Sequence, residues 1–138
     1  MIIKGELNLG ESSIESLGEL TEVKGDLYLR DCVNLKNLGN LKTVGGDLYL
    51  SNTKIVKFPE NLEIGRSLIL RDCKNLESLG SGGLEIGKNL FLGGSTLRFF
   101  SKDIQVSETL FLKNSGITKE YILRNHNKLY AQCRWNLG

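Results

Sequence analysis

Few residues in this sequence are equipped for chemistry. A reactive thiol or a metal site needs cysteines with partners, and the three cysteines here are Cys32, Cys73 and Cys133. Their number is odd, and no Cys-x-x-Cys pair exists, which argues against a disulfide framework and a zinc site. Nucleophilic catalysis needs a base beside the nucleophile. The single histidine, His126, lies far along the chain with no second histidine to join it. The carboxylate pairs Glu19 with Glu22 and Glu60 with Glu63 sit among turn-forming neighbours and read as solvated faces. Gly80-Ser81-Gly82-Gly83 matches a phosphate loop in composition only, because the Gly-Lys-Ser/Thr ending is missing. No enzyme, no metal and no cofactor is expected.

The 138 residues carry 18 basic and 16 acidic side chains, a net charge of +2. That balance excludes an acidic DNA mimic and a strongly basic nucleic-acid binder. A 40% apolar content excludes disorder. Leucine is the commonest residue, set against 16 Gly and one each of Ala, Pro and Met. A helical bundle would use far more Ala. Residues 1–5 hold no apolar run of signal-peptide length, and Glu6 and Glu11 follow. No stretch reaches the roughly 20 apolar residues of a membrane span. Cytoplasmic location without membrane attachment is expected.

The elements that would position any site are repeats. Leu-x-Leu begins at Leu7, Leu27, Leu48, Leu68, Leu90 and Leu110, in steps of 20, 21, 20, 22 and 20. Four positions earlier stand Ile3, Val23, Val44, Ile64, Ile86 and Val106. A second apolar set follows (Leu35 and Leu38, Ile55 and Phe58, Leu76 and Leu79), and Leu20, Leu41, Leu62, Leu84 and Ile104 close each turn. Each Leu-x-Leu is a short strand with both leucines on one side. One turn cannot cover its own apolar side, so turns stack into a solenoid with a shared core and a parallel sheet rising about 4.8 Å per rung. Gly5, Gly25, Gly45, Gly46, Gly65 and Gly87 precede the strands, where a corner of positive φ is expected. Gly18, Gly39, Pro59 and Gly80 mark a second corner.

Three residues after the second leucine comes a small polar column: Ser12, Cys32, Thr53, Cys73, Ser95 and Ser115. Short inward donors there can satisfy backbone carbonyls as the chain leaves the strand. Cys32 and Cys73 stand two rungs apart, about 9.6 Å, too far for a disulfide. Cys133 falls outside the repeats and is expected as a free thiol. The spacing of this column matches the Asn/Cys position of the leucine-rich repeat pattern. The chain resembles a short leucine-rich repeat protein over roughly residues 3–117. Its unit from Ser51 to Leu70 is similar to repeats of bacterial and bacteriophage proteins. The spacing from Leu41 to Leu50 is similar to that of receptor L-domains, which are right-handed β-helices. The fold implied is an all-β solenoid, a leucine-rich-repeat-like right-handed β-helix with a parallel sheet. Fold alone does not assign an activity.

The outward positions between the paired leucines are Asn8, Tyr28, Tyr49, Ile69, Phe91 and Phe111. In the similar phage repeats this position is often small or polar. Five consecutive large apolar residues form either a self-stacking ladder or an exposed binding patch. The patch is the expectation. One flank carries Glu6, Asp26, Asp47, Ser67, Asn89 and Thr109, and the other Gly10, Arg30, Ser51, Arg71, Gly93 and Lys113. An apolar stripe with an acidic and a basic rim resembles a protein–protein interface, whereas a nucleic-acid groove would be basic on both sides. The expected partner-binding residues are Tyr28, Tyr49, Ile69, Phe91, Phe111, Arg30, Arg71, Lys113, Asp26 and Asp47.

The two ends differ. The pattern starts at Ile3 without a preceding cap, so self-association through the first turn is an expectation. Residues 1–117 form the solenoid and 118–138 a helical cap, with Thr118 as N-cap and a second helix from Asn127. Tyr121, Ile122, Leu129, Tyr130 and Trp135 supply its apolar contacts. Residues 107–138 hold 5 basic and 2 acidic groups, a charge of +3. That tail, with Arg124, Lys128 and Arg134, carries the alternative function, nucleic-acid binding. The favoured one is a protein-binding module of bacterial or bacteriophage type that modulates a host or self protein.

Overall fold

The computed structural model describes residues 1–80, 82–132 and 134–136, with side chains described through Leu129. Each repeat contributes two strands, nearly all of two residues. They are β1 (Ile2–Ile3), β2 (Leu7–Asn8), β3 (Glu22–Val23), β4 (Leu27–Tyr28), β5 (Thr43–Val44) and β6 (Leu48–Tyr49). The series continues with β7 (Glu63–Ile64), β8 (Leu68–Ile69), β9 (Glu85–Ile86), β10 (Leu90–Phe91), β11 (Gln105–Val106) and β12 (Thr109–Phe111). The odd strands β1–β11 stack as one parallel sheet and the even strands β2–β12 as another. The result is a β-solenoid of about five turns. Register follows the repeat column by column: Leu27 pairs with Leu48, Tyr28 with Tyr49, Leu90 with Leu110, Phe91 with Phe111.

The core is the inside of this coil. Both leucines of every Leu-x-Leu from β4 to β12 are at most 2% exposed, and Val23, Val44, Ile64, Ile86 and Val106 face them from the other sheet. Leu35, Leu38, Ile55, Phe58, Leu76, Leu79, Leu97 and Phe100 close the third side. A fully buried side chain of this kind contributes about 1.5–3 kcal/mol. The first turn is different, because Ile3, Leu7, Leu9 and Ile14 are only half-buried and Met1 and Ile2 are exposed.

The polar column works as its chemistry implies. The Thr53 hydroxyl and the Cys73 thiol both donate to the Leu50 carbonyl, at 2.9 and 3.1 Å. The Cys32 thiol donates to the Leu9 carbonyl at 3.0 Å, and the Ser115 hydroxyl to that of Leu112 at 2.7 Å. Cys32 and Cys73 are buried and unbridged, and burial pushes the Cys73 thiol pKa up. Cys133 and Ser81 lie outside the described residues.

The pre-strand glycines require a correction. None of Gly5, Gly25, Gly45, Gly46, Gly65 and Gly87 has positive φ. Close approach accounts for glycine at all of these but Gly5, where nothing lies within 4 Å: a Cβ on Gly65 would lie 2.2 Å from the Gly45 carbonyl oxygen, and one on Gly87 2.1 Å from that of Gly65. Positive φ occurs at the second corner, at Gly18, Gly39 and Gly80. It also occurs in a column just before the small polar one: Glu11, Asp31, Asn52, Asp72, Gly94 and Asn114. Five of these six are Asn, Asp or Gly, the types that tolerate this conformation, and Glu11 is the exception.

After β12 the chain forms α1 (Lys119–Asn125) and α2 (Asn127–Gln132). Thr118 caps α1, its hydroxyl accepting from the Tyr121 N–H at 3.1 Å. Ile122 and Leu129 are buried and Tyr121 is half-buried. The side chains of Tyr130 and Trp135 lie outside the described ones. Residues 118–138 are not wholly helical, however. β13 (Arg134–Asn136) returns to pair in parallel with β12, setting Asn136 in register with Phe111.

Candidate functional site, the outer face of the even-strand sheet

The pleat of β4 to β12 turns Tyr28, Tyr49, Ile69, Phe91 and Phe111 together onto one outer wall, each half-buried. Rung spacing sets their contacts. Tyr28 and Tyr49 stack with centroids 4.8 Å apart and planes 8° from parallel. Phe91 and Phe111 stack at 4.3 Å and 5°. Ile69 separates the two pairs, so the row is aromatic–aromatic, aliphatic, aromatic–aromatic. The Arg30 guanidinium lies 5.5 Å from the Tyr49 centroid and that of Arg71 4.9 Å from Phe91. Each cation reaches from its own rung to the ring of the next, within cation–π range. Lys113 is exposed on the same flank, one rung beyond Gly93.

The opposite flank has a structural task that pattern reading missed. One Asp26 carboxylate oxygen accepts the Asp47 N–H at 2.7 Å, and Asp47 does the same for the Ser67 N–H at 2.8 Å. The Ser67 hydroxyl then accepts from the Asn89 N–H, and the Asn89 side-chain oxygen from the Thr109 N–H. This column is a chain of side-chain acceptors climbing the solenoid. It satisfies the backbone donors of the next rung at this corner. The signal was present: from Asp26 to Asn89 every residue of the column carries an acceptor oxygen. The second oxygen of Asp26 accepts from the Tyr28 hydroxyl at 3.2 Å, and that of Asp47 from Tyr49 at 3.3 Å. Burial, followed by the adjacent aspartates, pushes both phenol pKa values above 10.0. Asp26 and Asp47 therefore hold the rings in place from within the wall.

A further pair of cations joins the site. Arg66 and Lys88 occupy the corner column that is glycine at Gly5, Gly25 and Gly46. Together with Arg30 and Arg71 they surround a groove of about 540 Å³ centred on Ile69, with Tyr49 and Phe91 as its ends. Arg66 approaches Asp47 at 3.8 Å, with the arginine side chain 55% exposed. Around Ile69 the wall is thus basic on both flanks, unlike the rung of Asp26 and Arg30, which is acidic on one flank and basic on the other.

Elsewhere, Arg124 and Lys128 are exposed on α1 and α2, while the side chain of Arg134 lies outside the described ones. His126 belongs to an aromatic cluster with Phe100 and Tyr121. The Tyr121 hydroxyl accepts from the Phe100 N–H at 2.9 Å and stands 3.0 Å from His126 Nε2. Among the described residues no group of three His, Cys, Asp or Glu side chains is placed to hold a metal ion. No described helix is long and apolar enough to cross a membrane. Comparison with protein-family models, curated proteins and solved structures finds no match to this chain.

Proposed function

We propose that the chain is a non-enzymatic protein-binding module that docks a partner on the outer wall formed by Tyr28, Tyr49, Ile69, Phe91 and Phe111. The observation that carries this reading is the contrast across one strand. In β4, β6, β8 and β10 the leucines are fully buried, while the residue beside each, a large apolar side chain, keeps part of its surface in water. Five such residues in adjacent register make one contiguous stripe, and contiguous apolar surface rimmed by charge is the usual form of an interaction site. Stacking uses ring faces and leaves ring edges outward, so a stabilising ladder and a binding surface coexist in the same residues. The leucine-rich repeat likeness supports the same class, since solenoids present long regular surfaces. The likeness to bacterial and bacteriophage repeats supports a cytoplasmic factor that binds a host or self protein and modulates it.

The test is affinity capture from bacterial lysate with the wild-type chain and with a Tyr49→Asp, Phe91→Asp double variant. Each protein captured is then purified and its binding measured directly. A partner bound by the wild type and lost by the double variant, with the variant still folded by circular dichroism, supports the reading. A partner bound equally well by both refutes it.

A further inference from the structure

The outer wall has one break in its aromatic row, and that break coincides with its densest positive charge. Tyr49 shows one ring face to Tyr28, and Phe91 one to Phe111. The remaining faces point toward each other across Ile69, two rungs or about 9.6 Å apart, and that of Phe91 is covered by the Arg71 guanidinium, 4.9 Å from its centroid. Isoleucine reaches less far from the sheet than tyrosine or phenylalanine, and the groove of about 540 Å³ opens above it. One flat ring seated on Ile69 would lie one rung, about 4.8 Å, from each neighbour. That is the spacing Tyr28 and Tyr49 already adopt, at 4.8 Å.

We propose that this groove is a receptor slot for an aromatic side chain carried within an acidic segment of a partner protein. The inference rests on the protein-binding reading above and adds the chemistry of what is bound. Charge complementarity selects the acidic segment. Arg30 and Arg71 stand on one flank and Arg66 and Lys88 on the other, against the single carboxylate of Asp47, whose oxygens already accept from Ser67 and Tyr49. Arg71 lies over the Phe91 ring, and a guest ring displaces its guanidinium onto a neighbouring carboxylate of the incoming segment. Single-stranded nucleic acid fits less well. It needs ring faces offered to successive bases and a long basic track. Here there is a single slot, opened by moving one guanidinium, and the flank turns acidic at Glu6, Asp26 and Asp47.

The slot can be closed without harming the fold. Ile69→Phe completes the aromatic row at an outward position that favours β-branched and aromatic residues. Ile69→Val leaves the slot open. The probe is a synthetic peptide of alternating Glu and Asp around one Trp, with a Trp→Ala peptide and oligothymidylate as comparisons, measured by calorimetry and fluorescence anisotropy. The wild type and Ile69→Val are expected to bind the Trp peptide. Ile69→Phe is expected to lose roughly tenfold or more in affinity with an unchanged or higher melting temperature, and the Ala peptide to lose as much. Neutralising Arg66 and Lys88 together is expected to weaken binding and flatten its salt dependence. Equal binding by Ile69→Phe and wild type overturns the slot, as does tighter binding of oligothymidylate or no binding of the peptide. If Tyr49→Asp with Phe91→Asp still loses the captured partner in those cases, the docking wall stands and the slot alone has failed. If the double variant keeps the partner, the wall has failed as well.

Discussion

Replacing Gly65 by alanine tests why the corners are glycine. The added Cβ would sit 2.2 Å from the Gly45 carbonyl oxygen, about 1.2 Å inside the 3.4 Å at which ordinary contact begins. Both clashing groups are backbone, so no side chain can swing away. The rungs must separate or slide, which strains the Gly65 N–H to Val44 carbonyl bond at 2.8 Å and the Gly87 N–H to Ile64 carbonyl bond at 2.9 Å. Overpacking costs about 1–3 kcal/mol, and weakened hydrogen bonds add up to about 1 kcal/mol each. The alanine stiffens the unfolded chain and returns about 0.4–1 kcal/mol. The net expectation is a loss of about 2 kcal/mol, or roughly 6–8 °C in melting temperature for a chain of this size. Gly5→Ala is the control, because nothing lies within 4 Å of its added Cβ. There the unfolded-state effect acts alone and stability is level or slightly raised. Urea unfolding followed by circular dichroism separates the two, with midpoints moving and the m-value constant. Equal midpoints for Gly65→Ala and Gly5→Ala would show that the rungs yield freely, and the close-approach explanation would be wrong.

Asp47→Ala removes the acceptor for the Ser67 N–H and the Tyr49 hydroxyl and should cost about 1–2 kcal/mol in thermal unfolding. Asp47→Asn keeps an acceptor oxygen and should cost clearly less; equal losses would discount the acceptor chain. Burial lowers the His126 pKa below 6.5, so its neutral form contributes stability above that value. This contribution is lost as pH falls through the unfolded pKa and levels off below the folded one. His126→Gln should flatten that acid-side slope, and an unchanged slope would assign it to other groups. We further propose that the first turn self-associates, since Ile3, Leu7, Leu9 and Ile14 are only half-buried there. The same turn carries Glu6, Glu11, Glu15 and Glu19. Added salt should therefore strengthen association by screening their repulsion, and light scattering that finds a monomer at high concentration and high salt would refute it.

The coil was legible because its period repeats. Six registers of Leu-x-Leu fixed both the inward columns and the pairing of Leu27 with Leu48 and Leu90 with Leu110. Thr118 and Asn127 likewise marked the two helix starts. What escaped was decided between rungs rather than along the chain. Strands such as Glu22–Val23 are two residues long, too short for alternation to announce a second sheet. The Gly45, Gly65 and Gly87 corners are shaped by a carbonyl some twenty residues away, which no local φ preference reveals. Asp26 and Asp47 read as rim charges because a charged residue beside a strand is ordinarily solvated. Only stacking shows that each oxygen meets a donor. β13 was missed because its pairing with β12 depends on how the helices bring the chain back, not on a seventh copy of the motif.

A solenoid makes its columns uniform for a physical reason. Each position sees the same position above and below, so whatever stacks well once stacks well again. Uniformity is therefore the expectation for stability, and a break in a column has to be explained by something other than stability. Two breaks occur on one rung. The aromatic column gives way to Ile69, where tyrosine or phenylalanine would have extended the stacks on both sides. The corner column gives up glycine for Arg66, and Lys88 follows one rung later. Neither substitution extends the wall as a ladder: the first removes ring contacts, and the second adds an exposed cation whose recorded ion pair, with Asp47 at 3.8 Å, involves no ring. Their coincidence around a single groove is the pattern expected where a surface is shaped for something outside the chain.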